Sequence, residues 1–347
     1  MKKPPALKPG DKIAVISPSW GGPYHFPHIF EQGLRVLKED FGFEIVEYPS
    51  ARMDSQLLYK NPKLRAQEIN QAFGESSIKG IICSIGGDDS IRILEYLDIP
   101  LILSNPKLIM GYSDSTTFLT YLNSLGLVTF HGSAVMSGFS QLRNFPEVLQ
   151  EYKSFFFTSG IQEINPYPAY CQKYPDWGVV SNAGGIGEII PSPEGHIWLN
   201  KGLTTSGKLW GGCIEVLDFM NGTDFWPRKS FWNGKILFIE TSEEKPKPDQ
   251  VGYWLRNFGI QGILGKINGL LVGKPKDYSV EEKESLAEII HRIVVVEFNR
   301  PDLNLVMNLD IGHTDPRHIM PLGLEIEIDP ISEKIRLLES PFYELVK

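Results

Sequence analysis

The chain has 347 residues, 42% hydrophobic and 22% charged, with a formal net charge of -8 at neutral pH. That is the balance of a folded globular protein, and the length suits two domains better than one core or three. No basic block offsets the negative charge, no apolar run of about 18 residues occurs, and the lysine-bearing start MKKPPALKPGDKIAVIS is broken by prolines. The expectation is a cytoplasmic protein with no nucleic-acid or membrane partner. Three cysteines, Cys83, Cys171 and Cys213, show no metal-like spacing and read as buried thiols in a reducing compartment.

From residue 12 to about 130, short β-rich runs alternate with helical patterns. KIAVIS is followed by HIFEQGLRVLKEDF, with apolar residues at 30, 34, 37 and 41, and then by FEIVEY. Asn61-Pro62 opens a helix through Phe73; GIICSI reads as a buried strand, residues 88–97 as a helix, and KLIMG as a strand before the helix STTFLTYLNSL. Apolar strands separated by helices predict a parallel sheet covered on both faces. The pattern dissolves between about 140 and 205 into NPYPAYCQKYPDWGVVSNAGG, a linker or functional loop. Beyond it GKLWGG, KILFIE, INGLLVG, LNLVMNLDIG and the hairpin-like LEIEIDPISEKIRLLE supply strands, with helices near 249–258 and 281–294, so the second half reads as a smaller mixed α/β domain. We expect an N-terminal α/β domain over residues 1–165, a linker or substrate loop over 166–190, and a C-terminal domain over 191–347.

Reactive groups in a parallel α/β sheet gather at the carboxyl ends of strands. Ser113 lies at such an end, in Gly111-Tyr112-Ser113-Asp114 before a helix. A nucleophile elbow needs a glycine before the serine and a helix N-terminus after it. The same residues also suit a simple helix cap. The usual hydrolase elbow has glycine two residues after the serine, where this chain has Ser115.

A nucleophilic serine needs a base, and the base an orienting acid. His25 and His28 lie in a proline-flanked loop without carboxylate neighbours, and His196 and His291 read as solvated. His131, in TFHGSA, fits either the cleft or a structural role. His313 is delivered by the strand LNLVMNLDIG into the turn GHTDPRH, at a strand's carboxyl end; His318 follows a proline and is the weaker choice. KILFIETSEE ends an apolar strand at Glu240, a costly place for a carboxylate without a partner, whereas Glu243 and Glu244 are expected in water. Glu215 reads as the start of a helix, where the dipole favours an acid. For an oxyanion hole, the turn Ser84-Ile85-Gly86-Gly87-Asp88 offers the Gly87 amide and the elbow offers that of Asp114, although a plain glycine turn reads equally well.

Lined up, KPGDKIAVISPS, SIGGDD, NPKLIMGYSDST, TFHG, ILFIETSEE and GHTDP resemble, in this order over nearly the whole chain, the serine peptidase family that contains the L,D-carboxypeptidases and the microcin C immunity peptidases. The resemblance implies a catalytic Ser113, Glu240 and His313, with an oxyanion hole from the amides of Gly87 and Asp114 and no metal or cofactor. It also implies a parallel-sheet N-terminal domain like that of the class I glutamine amidotransferases, a swivelling β-rich α/β C-terminal domain and a homodimer. The Pro-Tyr-Trp loop and SEEKPKPD are similar to the immunity branch, whose substrates are peptidyl or aminoacyl nucleotides; the alternatives are a murein tetrapeptide L,D-carboxypeptidase and a non-catalytic binding protein. Trp177 would then stack on a purine, and Lys245 or, preferably, Lys247 would meet a phosphate-like group.

Overall fold

A computed structural model describes residues 1–158 and 163–343; residues 159–162, within the expected first domain, and 344–347, within the last, lie outside that description. In the first half, strands β1 (Lys12–Ile16), β2 (Glu44–Glu47), β3 (Ile78–Cys83), β4 (Leu108–Gly111) and β5 (Thr129–His131) are interleaved with helices. The helices are α1 (Gly22–His25), α2 (Pro27–Glu39), α3 (Ser55–Lys60), α4 (Pro62–Gly74), α5 (Ile99–Ser104), α6 (Thr116–Ser124) and α7 (Pro146–Phe157). The apolar spacing seen in sequence is the inner stripe of α2: Phe30, Leu34 and Leu37 are buried, as is Phe41 just beyond the helix. Each such side chain contributes about 1.5–3 kcal/mol. The expected helix over 88–97 is a 3-10 helix, Ser90–Tyr96, without a side-chain cap, because the Asp89 carboxylate is held by Arg65 and Arg92.

The Pro-Tyr-Trp segment carries a small ribbon of β6 (Ala169–Tyr170) and β7 (Ile190–Pro191). Then come β8 (Ile197–Asn200), β9 (Thr205–Cys213), α8 (Ile214–Met220), β10 (Ile236–Glu240), α9 (Pro248–Ile260), β11 (Gly269–Gly273) and α10 (Val280–His291). The chain closes with β12 (Asn304–Leu309), β13 (Met320–Leu322), β14 (Glu325–Asp329) and β15 (Lys334–Leu337).

The first sheet runs β13-β5-β4-β3-β1-β2 and is parallel except for β13, a strand from the far end of the chain that pairs antiparallel with β5. The second runs β15-β14-β9-β10-β11-β12-β8, with β9 to β12 parallel and the expected hairpin β14–β15 at one edge. Helix α6 joins the two sheets: Trp210 Nε1 donates to the Thr120 carbonyl at 3.3 Å, and the Cys213 N–H donates to Thr116 Oγ1 at 3.2 Å. As a result, segments following the carboxyl ends of parallel strands in both sheets open onto one cleft: Trp20 after β1, Gly86 to Asp88 after β3, Ser113 after β4, Glu243 after β10, Lys276 after β11 and His313 after β12.

Candidate active site

The chain leaves β4 through an extended Tyr112 and turns sharply at Ser113, whose φ of 59° is left-handed. For a residue with a side chain this costs about 1–2 kcal/mol, and it lifts the hydroxyl into the cleft. Gly111 makes the turn possible, since a Cβ there would lie 2.7 Å from Ser115 Oγ. Ser115, in place of the second glycine of the usual elbow, is thereby accommodated in the interior.

The Asp114 carboxylate, fully buried, accepts the Ser90 N–H at 2.8 Å, while Ser90 Oγ donates to the Asp114 carbonyl at 2.7 Å. Burial raises the Asp114 pKa, opposed by the hydroxyls and amide around it. These bonds fasten the Gly86-Gly87 turn beside the serine. Gly87 has φ 151°, and a Cβ at that position would collide with Ser19, so only glycine fits.

Glu240 ends β10 with its side chain wholly out of water. Its Oε2 accepts from His313 Nδ1 at 2.7 Å. Burial alone would raise the Glu240 pKa; His313 and His131 instead hold it well below the usual carboxylate range. The other His313 nitrogen, Nε2, lies 3.0 Å from Glu243 Oε2, within ion-pair range yet off hydrogen-bond alignment. Burial would lower the imidazole pKa, but the two carboxylates outweigh it and raise it well above the ordinary value. Contact with His313 in turn lowers the Glu243 carboxyl to about 2. The edge of the His313 ring meets Tyr112, 4.9 Å between centroids.

The cleft has a volume of about 660 Å³. Trp177 lines it, stacked on Tyr174 at 5.6 Å and set edge-on against Phe26, with its carbonyl held by His28 Nε2 at 2.7 Å. The Tyr174 hydroxyl bonds to Asp315, which pairs with buried Arg317 at 2.9 Å, and Arg317 lies over the Tyr112 ring. The aromatic loop is thereby clamped to the turn that carries His313.

The structure therefore brings Ser113, Gly87, Asp114, Trp177, Glu240 and His313 together. An orienting carboxylate, an imidazole and a hydroxyl beside a glycine turn can perform acyl transfer. Among known proteins, the LD-carboxypeptidase N-terminal domain matches residues 13–132 and the C-terminal domain residues 206–328. The chain belongs to the LD-carboxypeptidase family. Membership makes it a peptidase.

Two relatives within the LD-carboxypeptidase family carry informative names. The microcin C7 self-immunity protein MccF of Escherichia coli is 26% identical over 96% of this chain and 94% of its own length. A protein of Bacillus subtilis named "Probable murein peptide carboxypeptidase" is also 26% identical, over 97% and 94%. Among solved structures, an MccF-like protein from Streptococcus pneumoniae in complex with AMP superposes with a TM-score of 0.81 at 28% identity, covering 94% of this chain and 98% of the other. MccF in complex with aspartyl sulfamoyl adenosine gives 0.84 at 24%, covering 99% and 100%, a likeness of fold.

Several sequence expectations are corrected. Lys247 is not in the cleft: its N–H is capped by Gln250 at 2.8 Å, which fixes it as the exposed residue before α9, and Lys245 pairs with Glu282 at 2.9 Å. The lysines that line the cleft are Lys173 and Lys276. Lys276 follows the parallel strand β11, so the strand-end rule that picked Glu240 and His313 would have found it. Glu243 and Glu244 are exposed as expected, but both line the cleft, and the Glu243 carboxylate also meets His313. Glu215 begins α8 as expected and also accepts the Ser242 N–H at 2.8 Å, tying down the turn after Glu240. His196 is partly buried, not solvated, and burial lowers its pKa to about 4. His318 is a structural residue, bonded to Tyr167 and to the Asn165 carbonyl. All three cysteines are buried.

Proposed function

We propose that the chain is a serine hydrolase in which Ser113 attacks an amide carbonyl and His313 takes its proton, later passing it to the leaving amine. Glu240 holds the imidazole, and the backbone amides of Gly87 and Asp114 face the developing oxyanion. The observation that carries this reading is the buried Glu240–His313 pair at 2.7 Å, opening onto the same cleft as the strained Ser113. Reaction requires Glu243 to leave His313 Nε2, so that this nitrogen can meet the serine.

The substrate class we favour is a peptidyl or aminoacyl nucleotide or its adenylate analogue, cleaved in self-immunity or detoxification. Complexes of MccF-type relatives with AMP and with aspartyl sulfamoyl adenosine support this, as does the presence in the cleft of Trp177, an indole suited to stacking on a base. In this reading the leaving nucleotide lies beside His313, with Trp177 and Lys276 as its cleft neighbours, and the acyl part lies toward Trp20 and Asp88. A second cavity of about 410 Å³ shares Trp20 and Asp88 and extends to Gln56 and Tyr59 on α3, space for an acyl group longer than one residue. The murein tetrapeptide reading is kept because Lys173 and Lys276 are cleft cations suited to a terminal carboxylate.

The test compares hydrolysis of an aminoacyl sulfamoyl adenosine and of a murein tetrapeptide by the wild type and by Ser113→Ala. We expect turnover of the first, lost in the variant by a factor of about 10³ or more. Turnover of the tetrapeptide alone would move the chain to the cell-wall branch, and tight binding of either without turnover would make it a binding protein. The homodimer belongs to the same proposal, and light scattering measures it directly.

A further inference from the structure

A second histidine reaches the acid of the candidate triad. His131 ends β5 and is 1% exposed, and its Nε2 lies 3.6 Å from Glu240 Oε1. Among the described residues that oxygen has no hydrogen-bond partner, and neither does either nitrogen of His131. Two facing polar groups, both buried and both unsatisfied, are unusual: an unpaired buried group costs about 1–3 kcal/mol. The gap is about 0.7 Å longer than an ordinary N–H···O bond. Hydrogen bonds of catalytic groups are often long in the free enzyme and tighten when substrate is bound.

The surroundings determine which form of His131 can serve. Phe238 packs on its ring at 5.2 Å and Tyr112 at 6.3 Å; the charges facing it are Glu240 from β10 and His313 and Arg317 from the turn after β12. Around Glu240 itself stand His313, Cys213 and Glu215, with Glu243 on the far side of His313. Burial outweighs the pull of Glu240 and lowers the His131 pKa. A neutral imidazole carrying its proton on Nε2 can donate to Glu240 without cancelling its charge, whereas a second imidazolium would compete with His313 for the carboxylate.

We propose that His131 is a positioning residue of the reaction, a neutral Nε2–H donor that closes on Glu240 Oε1 when substrate binds and fixes the carboxylate against which His313 turns. This rests on the reading of His313 as the base. Without the donor Glu240 rotates more freely and becomes more basic, and a more basic Glu240 strengthens its hold on the His313 proton. Loss of His131 therefore moves the acid limb of kcat/KM to higher pH.

The experiment pairs His131→Phe, which keeps the ring volume beside Tyr112 and Phe238, with His131→Gln, which keeps an N–H donor. Expected for the first is a fall in kcat of about tenfold or more, KM within about twofold, and an acid limb displaced upward; the second recovers most of kcat and the wild-type limb. Equal loss in both variants, or an unmoved limb in His131→Phe, overturns the proposal. Should His131→Phe not fold, nitrogen NMR of the wild-type imidazoles decides: His131 is expected to stay neutral and Nε2-protonated at the pH where an ordinary histidine takes up its proton, and titration near the ordinary histidine value would overturn it. His313→Gln serves as the control for the underlying reading, since an active His313→Gln would remove the base assignment itself.

Discussion

His313 stands between Glu240 at 2.7 Å and Glu243 at 3.0 Å, and the two carboxylates favour its cation. A cation is not a base. The acid limb of kcat/KM therefore reports the loss of that proton, and anything that removes one of the two negative charges lowers the pH at which it is lost. Glu243→Gln is expected to shift the limb to lower pH, modestly because Glu243 is half exposed and screened by water; a limb that stays in place would show that Glu243 does not hold the imidazole in solution. In the amino-acid order Ser113, Glu240 and His313 are each legible because each ends an apolar strand. Glu243 and His131 were not, for different reasons. Glu243 sits in an exposed polar turn whose path alone brings its carboxylate back to His313, and His131 could serve equally as structural or reactive until the partner strand places Glu240 beside it.

Helix α6 is the element on which both halves of the site rely. Its first residue, Thr116, touches β9 so closely that a Cβ on Gly212 would lie 2.6 Å from the threonine side chain, and the neighbouring Cys213 N–H bonds to Thr116 Oγ1. Gly212→Ala should force α6 and β9 apart, costing about 1–3 kcal/mol of stability and lowering kcat through displacement of Glu240 from Ser113. Thr116→Ala in the same chain should restore part of both, and denaturant melts of the single and double variants measure the coupling; strict additivity would show that the contact is not the cause. The βαβ rhythm, the hairpin β14–β15 and both long helices of the second half are visible in sequence because apolar period and turn residues agree there. The 3-10 helix at Ser90 was not, since it depends on where the Asp89 and Asp114 carboxylates find partners.

Across the whole molecule, the first sheet supplies Ser113 and the second supplies the Glu240–His313 pair of the candidate site. Such a site needs the two sheets in register to within fractions of an ångström, whereas each sheet needs only its own core to keep its strands. In a urea titration, activity should vanish before far-ultraviolet circular dichroism changes; coincident midpoints would mean that the sheets separate only when both unfold. The two-sheet division is legible as two runs of strands split by a Pro-rich stretch. The crossing of β13 is not, because Met320–Leu322 is only three residues long and lies between two longer patterns.

That crossing also orders events in time. About 190 residues of chain separate β5 from the strand that covers its edge. During synthesis the sheet bearing Ser113 stays open at β5 until β13 emerges, and His313 emerges just ahead of β13. An uncovered edge is a site for mispairing with other chains. The nascent protein thus carries its proposed nucleophile early and unarmed, and the stretch that seals the exposed edge arrives directly behind His313, the proposed base.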